Sequence, residues 1–194
     1  ILIGHKGHPE VIGTLGRHPS NSNTKIYLVE NNDDIKKLEI SSPEVAYVTQ
    51  TTLSVDETRE LINSLKEKFP GIIGPSADDI CYATQNRQDA VKQLSLECQI
   101  VLVIGSQTSS NSNRLKELAE KCGTKSFLID DKTDIDLNSL KDATSVGITA
   151  GASAPEEIVQ EVISFIVPLG FKTVRNLSEN NENMTFKLPK ELTS

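Results

Sequence analysis

Four polar loops in this 194-residue chain carry side chains that could bind an anion or move a proton. Gly4-His-Lys-Gly-His-Pro-Glu10 has glycines, two histidines and a carboxylate, and Gln50-Thr-Thr52 has hydroxyl groups. Residues 105–113 are rich in Ser and Asn, and Gly151-Ala-Ser153 repeats the small polar pattern. Each loop precedes a predicted helix, whose free N–H groups and positive dipole end favour an oxyanion such as phosphate. Together the loops predict an anionic ligand.

Each loop also has a purely structural interpretation. Ser, Thr and Asn are the usual residues that cap helix N-termini. His8 and Glu10 could form a proton-transfer pair, but a glutamate in the first helical turn more often complements the helix dipole on the surface. The chain has neither a Walker loop nor a G-x-G-x-x-G motif, so a nucleotide is not specifically indicated. Taken one residue at a time, the structural interpretation is favoured.

The three cysteines are widely spaced and form no C-x-x-C pair. This pattern indicates neither a disulfide framework nor a self-contained zinc site, and a reducing compartment fits it best. Cys81 lies in a polar loop just before a helix, where a thiolate is stabilised. Cys98 precedes a strand and Cys122 ends a helix, so both are predicted to be packing residues.

An internal duplication organises the elements that carry these loops. Lys25-Ile-Tyr-Leu-Val-Glu30 matches Lys125-Ser-Phe-Leu-Ile-Asp130 at an offset of 100 residues, and Leu2-Ile-Gly4 matches Val103-Ile-Gly105 at an offset of 101. Further along, Val48-Thr49 is predicted to match Ile148-Thr149 at an offset of 100. Such internal repeats indicate repeated structural units.

Each half predicts a strand ending in glycine, a helix, a second strand with an acidic turn, a third strand and a last helix. This order favours an α/β fold of two duplicated small three-layer modules with mainly parallel sheets. The predicted division is residues 1–77, residues 78–170 and a tail over 171–194 with one short strand at 185–188. The predicted helices span residues 56–69, 85–94, 114–121 and 155–166.

Composition excludes several classes of protein. A formal net charge of −7 has the wrong sign for binding nucleic acid through its phosphates. The longest apolar stretches, residues 100–104 and 162–167, are much shorter than the roughly 18 residues that span a bilayer. No membrane span is predicted.

Read together and in order, five sequence blocks resemble the bacterial form of the 4-hydroxy-3-methylbut-2-enyl diphosphate reductase (IspH or LytB) family. The resemblance runs from Ile1 to about Gly170, and Leu188 to Leu192 matches the family's C-terminal end. The blocks are Gly7-His-Pro-Glu-Val11, Thr49-Gln-Thr-Thr-Leu-Ser-Val-Asp56, Asp78-Asp-Ile-Cys-Tyr-Ala-Thr84 with Asn86-Arg-Gln88, Gly105-Ser with Ser109-Ser-Asn-Ser-Asn-Arg114, and Thr149-Ala-Gly-Ala-Ser-Ala-Pro-Glu156.

The resemblance implies reductive removal of a hydroxyl group from an allylic diphosphate, giving isopentenyl and dimethylallyl diphosphates, by means of a 4Fe-4S cluster. It implies that Cys81 is one of three cysteine ligands and that Glu10 donates a proton, with Thr51 in the relay. It also assigns diphosphate binding to His8, Ser109, Ser110, Asn111 and Ser153.

The resemblance further implies a fold of three modules around a pseudo-threefold axis, of which this sequence holds two. The other two cluster cysteines are expected in the N-terminal module that this sequence lacks, and Cys98 and Cys122 do not occupy family motif positions. We therefore expect no activity from this chain alone. The implied electron donor is a flavodoxin or ferredoxin, and the implied location is cytoplasmic.

Two other functions remain as alternatives. The chain could be a cluster-free α/β module that binds a phosphorylated metabolite, with the histidine and serine loops intact and no redox role. It could also be a partner-binding fragment that completes the site of another chain, which a large exposed apolar face would favour.

Overall fold

Two parallel three-stranded sheets organise the chain in the computed structural model, which describes residues 1–75, 79–171, 173–177, 188–189 and 192. The first sheet has the order β2-β1-β3, and the second has the order β5-β4-β6. The strands are β1 (Leu2–Ile3), β2 (Leu28–Val29), β3 (Val48–Thr49), β4 (Ile100–Ile104), β5 (Lys125–Ile129) and β6 (Val146–Ala150).

Seven α-helices and two 3₁₀ helices connect or cover these strands within the described residues. The α-helices are α1 (Pro9–Gly16), α2 (Asn32–Lys37), α3 (Val55–Lys68), α4 (Tyr82–Glu97), α5 (Ser110–Lys121), α6 (Leu137–Leu140) and α7 (Glu156–Ile166). The 3₁₀ helices span Lys132–Asp134 and Val167–Leu169. None of the helices in the described part of the chain is long and apolar enough to cross a membrane.

The central strand β4 shows why the second module forms three layers. All five of its side chains are apolar and buried. Ile100, Leu102 and Ile104 pack in a cluster with α7, whereas Val101 and Val103 pack in a second cluster with α4 and α5. Successive side chains of a strand point to opposite faces, so a continuous apolar strand requires cover on both sides. The predicted α/β class with parallel sheets is confirmed.

Helices α3, α4 and α5 start earlier than predicted, and in α3 and α5 a serine caps the helix. The hydroxyl of Ser109 accepts a hydrogen bond from the backbone N–H of Ser112, so α5 begins at Ser110 and not at residue 114. The polar run that follows Ser109 is therefore the first turn of the helix and not a loop. Helix α3 begins one residue earlier than predicted because Ser54 caps it.

The predicted duplication is confirmed for the first two strands of each module. For the third strand, the predicted offset between the modules was wrong by one residue. Leu2 pairs with Leu28 as Val103 pairs with Leu128, which reproduces both predicted offsets. However, Leu2 pairs with Val48 whereas Val103 pairs with Thr149. Val48 therefore corresponds to Thr149 and not to Ile148, because the second module has one more residue between its second and third strands.

Two predictions fall on parts of the chain that the structure does not describe. The predicted module boundary lies within residues 76–78, and three residues of the predicted strand at 185–188 are also outside the described residues. The division into 1–77, 78–170 and 171–194 thus stays a prediction. Of the tail, Leu177 packs against the α4–α5 side of the second module and Arg175 pairs with Glu97.

The two cysteines predicted to be packing residues differ. Cys98 is half-buried against the α4–α5 cluster, and burial raises the pKa of its thiol. Cys122 is exposed, so its predicted packing role was wrong. It lies at the C-terminal end of α5, beside a glycine with φ of 83°, where the chain turns away from the core.

Candidate functional site

The carboxylate of Glu10 lies between the loops that follow β1 and β3. One of its oxygens accepts a hydrogen bond from the backbone N–H of Thr51 at 2.8 Å, and the other accepts from the Thr51 hydroxyl at 2.8 Å. His8 caps α1, and its Nδ1 accepts from the Glu10 N–H at 3.3 Å. Glu10 is therefore a half-buried acid in a fixed position, joined to a hydroxyl group that can pass a proton.

A second set of contacts joins the β3 loop to the start of α5. Gln50 is only 1% exposed, and its side-chain amide donates to the Thr52 hydroxyl at 3.0 Å. Thr52 in turn donates to the hydroxyl of Ser110 at 3.0 Å. These bonds connect the first module, which carries Glu10 and Thr51, with the second module at the helix predicted to bind the diphosphate.

The first turn of α5 contains an unsatisfied buried amide. Asn111 is 7% exposed, and neither the nitrogen nor the oxygen of its side chain has a hydrogen-bond partner within the described residues. Buried polar side chains are normally hydrogen-bonded, and leaving one unpaired costs roughly 1–3 kcal/mol. At the N-terminus of a twelve-residue helix, such an amide is suited to a ligand with oxyanion character.

Two glycines keep this helix turn close to the strand ends. A Cβ atom at Gly105 would lie 2.2 Å from the Ser112 hydroxyl, and one at Gly151 would lie 2.3 Å from it. The same added atom at Gly151 would lie 3.7 Å from the side-chain nitrogen of Asn111. Ser153 is exposed in the turn between Gly151 and α7. The last predicted loop thus borders α5 through Gly151.

Cys81 lies at the N-terminus of α4, exposed to solvent. Its backbone N–H donates to the carbonyl oxygen of Thr51 at 3.1 Å, so the cysteine is anchored to the residue that binds Glu10. Its side chain does not cap the helix. Among the residues that the structure describes, no group of three or more His, Cys, Asp or Glu side chains could hold a metal ion. The structure thus brings Cys81 next to Thr51, and it places no second cysteine, histidine or carboxylate pair around it that would complete a group of three in the described residues.

A charged network joins the modules behind the site. Arg114 of α5 is 14% exposed, pairs with Glu57 at 3.5 Å, and approaches the ring of His5 at 3.1 Å. Lys121 also pairs with Glu57. The hydrogen bond from Lys121, assisted by the charges of Lys121, Arg114 and His5, holds the pKa of Glu57 below its ordinary value. The network fixes α3 against α5.

The sequence predicted an anion-binding loop at residues 50–52 but no individual role for Gln50, Thr52 or Arg114. Their positions inside two of the polar sequence blocks were the available signal. Residue type alone gave no indication that Gln50 is buried, because glutamine is mostly exposed in folded proteins. The bonds from Gln50 and Thr52 to Ser110 depend on how the two modules pack, which a sequence does not state.

Residues 1–167 match the family described as LytB protein. A curated relative from Saccharophagus degradans is 55% identical over 193 residues, and one from Alcanivorax borkumensis is 53% identical. Both are called 4-hydroxy-3-methylbut-2-enyl diphosphate reductase, and both alignments cover 99% of this chain. The chain spans only 62% of the length of each relative.

A solved structure is also similar. The E-1-hydroxy-2-methyl-but-2-enyl-4-diphosphate reductase from Plasmodium falciparum aligns with a TM-score of 0.87 and 34% sequence identity. The alignment covers 98% of this chain and 59% of that one. Both described modules therefore take part in the likeness.

Proposed function

This chain belongs to the LytB protein family, and we propose that it contributes to reductive dehydroxylation of 4-hydroxy-3-methylbut-2-enyl diphosphate. The products would be isopentenyl and dimethylallyl diphosphates. The observation that carries the proposal is the fixed acid Glu10, bound twice by Thr51 and linked through the β3 loop to the helix start at Ser110. The names of the relatives support the reaction class.

The diphosphate would bind at the first turn of α5. Ser109, Ser110 and Asn111 place two hydroxyl groups and one unpartnered amide at the N-terminus of that helix. Hydroxyl, amide and backbone N–H groups can hold phosphate oxygens by hydrogen bonds alone, without a lysine. His8 would add a donor from α1, and Ser153 would add one from the turn before α7.

Glu10 would protonate the departing hydroxyl group of the substrate. A C–O bond beside an alkene breaks more readily when the leaving oxygen is protonated. The two bonds from Thr51 fix the carboxyl group in one orientation, and the Thr51 hydroxyl gives the proton a path away from the carboxyl group. Positioning of this kind is a main source of enzymatic rate enhancement.

Cys81 would supply one thiolate ligand to a 4Fe-4S cluster. When bound, such a cluster delivers the electrons that the reaction consumes, from a flavodoxin or ferredoxin type donor. The backbone bond between Cys81 and Thr51 keeps this ligand next to the acid. Two further cysteine ligands would come from the N-terminal module of the family, which lies outside this sequence.

A second candidate function is binding of a phosphorylated metabolite without redox chemistry. One observation favours it. The hydrogen bonds that position Ser109 and Ser110 in the first turn of α5 do not involve Cys81, so this turn does not depend on a metal ligand. In this function the start of α5 and His8 would still bind the phosphate group, and Glu10 would have no role in proton transfer.

Iron and acid-labile sulfide, measured after anaerobic reconstitution, test the proposal. The sample for this test would be a chimera, in which this chain is joined to the N-terminal module of the Saccharophagus degradans relative. We expect about four irons per chimera, most of which are lost in Cys81→Ser and kept in Cys122→Ser, because Cys122 is an exposed cysteine at the end of α5. Equal iron in both variants would contradict the ligand role and favour the second candidate.

A further inference from the structure

Gln50 sets the direction in which a hydroxyl group of the anion site donates its proton. We propose that Gln50 is a positioning residue which, through Thr52, turns the Ser110 hydroxyl hydrogen toward a bound diphosphate. This inference rests on the proposed function only in taking the start of α5 as the diphosphate site. The three residues Gln50, Thr52 and Ser110 are called the Gln50 relay below.

The orientation of the Gln50 amide is fixed from one side. Its oxygen lies 3.0 Å from the backbone nitrogen of His5, and a backbone N–H can only donate a hydrogen bond. The oxygen must therefore face His5, and the NH₂ group must face the opposite way. Because Gln50 is 1% exposed, water does not offer the amide an alternative partner. Assignment of the two amide ends thus follows from hydrogen-bond chemistry.

The fixed amide determines the polarity of the next two groups. The NH₂ group can only donate, so the Thr52 hydroxyl accepts from Gln50 at 3.0 Å. The single Thr52 hydrogen then points to Ser110, 3.0 Å away. The Gln50 nitrogen also lies 3.5 Å from the same Ser110 oxygen. Ser110 accepts from inside the protein, and its own hydrogen is left for a partner outside.

The hydroxyl of Ser109 is oriented in the same direction as that of Ser110, but a different group sets its orientation. The buried hydroxyl of Ser112 donates to the Ser109 hydroxyl at 3.1 Å, and the Ser112 N–H points to the same oxygen at 3.3 Å. Ser109 therefore also accepts from inside and keeps its hydrogen for the outside. Two adjacent serines that donate outward suit an anion, which can only accept hydrogen bonds.

The test is binding of inorganic diphosphate to the 194-residue chain, measured by isothermal titration calorimetry. Gln50→Glu keeps the size of the side chain but replaces the NH₂ donor by an acceptor. Thr52 would then donate to the new carboxylate and accept from Ser110, whose hydrogen would turn inward. We expect roughly tenfold to hundredfold weaker binding than wild type near pH 8, the effect of losing one hydrogen bond to a charged group.

The pH dependence of binding distinguishes a reversed hydrogen-bond direction in the relay from general damage to the site. Burial favours the neutral form of the new carboxyl group, and a neutral carboxyl can again donate to Thr52. The ratio of variant to wild-type dissociation constants should therefore fall toward one as the pH is lowered to about 5.5. Other titratable or charged groups on the surrounding elements are common to both proteins and cancel in the ratio. They are His5, His8, Glu10, Glu57, Asp79, Cys81 and Arg114.

Three control variants complete the experiment. Gln93→Glu adds the same charge at an exposed position of α4, outside the loops predicted to bind the anion, and we expect less than about threefold weaker binding with no recovery at low pH. Thr52→Val removes the relay without adding charge and should weaken binding at every pH, whereas Thr52→Ser should restore it. The Thr52 pair tests the relay even where Gln50→Glu does not fold.

Three outcomes would overturn the inference. Wild-type affinity in Gln50→Glu and Thr52→Val would exclude a role for the relay while leaving the diphosphate site in place. A loss in Gln50→Glu that persists at low pH would show general damage to the site, and a loss equalled by Gln93→Glu would show that charge alone is responsible. Absence of diphosphate binding by the wild-type chain would overturn the diphosphate site together with the relay.

Discussion

In the first module the second residue of α1 is Glu10, whereas in the second module the second residue of α5 is Asn111. The order of elements around them is the same, since each helix follows a buried strand and a glycine. Glu10 has two bonds from Thr51, but the amide of Asn111 has no partner among the described residues. The first module thus has a hydrogen-bonded acid at this position, and the second has an amide without a partner among the described residues.

A second pair of equivalent positions also differs between the modules. The backbone N–H of Gln50 donates to Ile3 at 2.8 Å, and that of Gly151 donates to Ile104 at 2.8 Å. Gln50 fills the space beside its helix with a side chain, whereas Gly151 leaves that space to Ser112 and Asn111. The comparison teaches that a duplicated α/β unit can acquire separate chemical roles through one or two side chains at the strand ends, while the framework is unchanged.

The largest effect should follow from making the first module resemble the second. Glu10→Gln puts an amide at the second position of α1, and in the reductase chimera we expect turnover to fall about 10²–10⁴-fold, the usual contribution of a general acid. Iron content and diphosphate affinity should stay near wild type. Steady-state turnover, iron analysis and calorimetry check this, and a fully active variant would show that Glu10 is not the proton donor.

An intermediate effect should follow from filling the space at Gly151. Gly151→Ala forces Ser112 away, because the new carbon would lie 2.3 Å from its hydroxyl, and we expect a loss of about 1–3 kcal/mol in the free energy of unfolding. The matched control is Gly13→Ala inside α1, where an added Cβ has nothing within 4 Å and should stabilise the helix by about 0.5–1 kcal/mol. Urea unfolding measures both, and stabilisation by Gly151→Ala would refute the packing argument.

The smallest effect concerns the contact between the modules. Glu57→Gln should lower the free energy of unfolding by less than about 1 kcal/mol, because the carboxylate is largely exposed. The pKa of Glu57 lies below its ordinary value of 4.5, so the stabilisation is complete above about pH 5 and is lost as the pH falls through the folded pKa. Unfolding curves from pH 7 to pH 3 should show wild type and variant converging. A difference that grows toward low pH would contradict the assigned network.

Much of the framework could be predicted from the sequence, because apolar runs and repeat offsets are local properties. The five apolar residues of β4 and the glycine that follows predicted a buried strand and its turn. The start of α5 was missed because Ser and Asn are typical of loops as well as of caps, and only the bond from Ser112 to Ser109 distinguishes them. The third-strand register was missed because Val48-Thr49 resembles Ile148-Thr149 in residue type.

The candidate site was predictable only in part. Glu10, Thr51, Cys81 and the serines were identified through the sequence blocks, whereas residue type alone favoured structural roles for them. The contacts of Gln50 and Thr52 with Ser110, and those of Arg114, were not identified, because burial and contacts between modules arise from tertiary packing.

The two bonds between Glu10 and Thr51 restrict where a proton on Glu10 can reside. The backbone N–H of Thr51 can only donate, whereas the Thr51 hydroxyl can donate or accept, so a proton on Glu10 that hydrogen-bonds to Thr51 must sit on the oxygen that faces the hydroxyl. That hydroxyl must then rotate to accept it, which turns its own hydrogen outward. Protonation of Glu10 would therefore reverse the hydrogen bond between the two side chains, and the Thr51 hydrogen would become available to a third group.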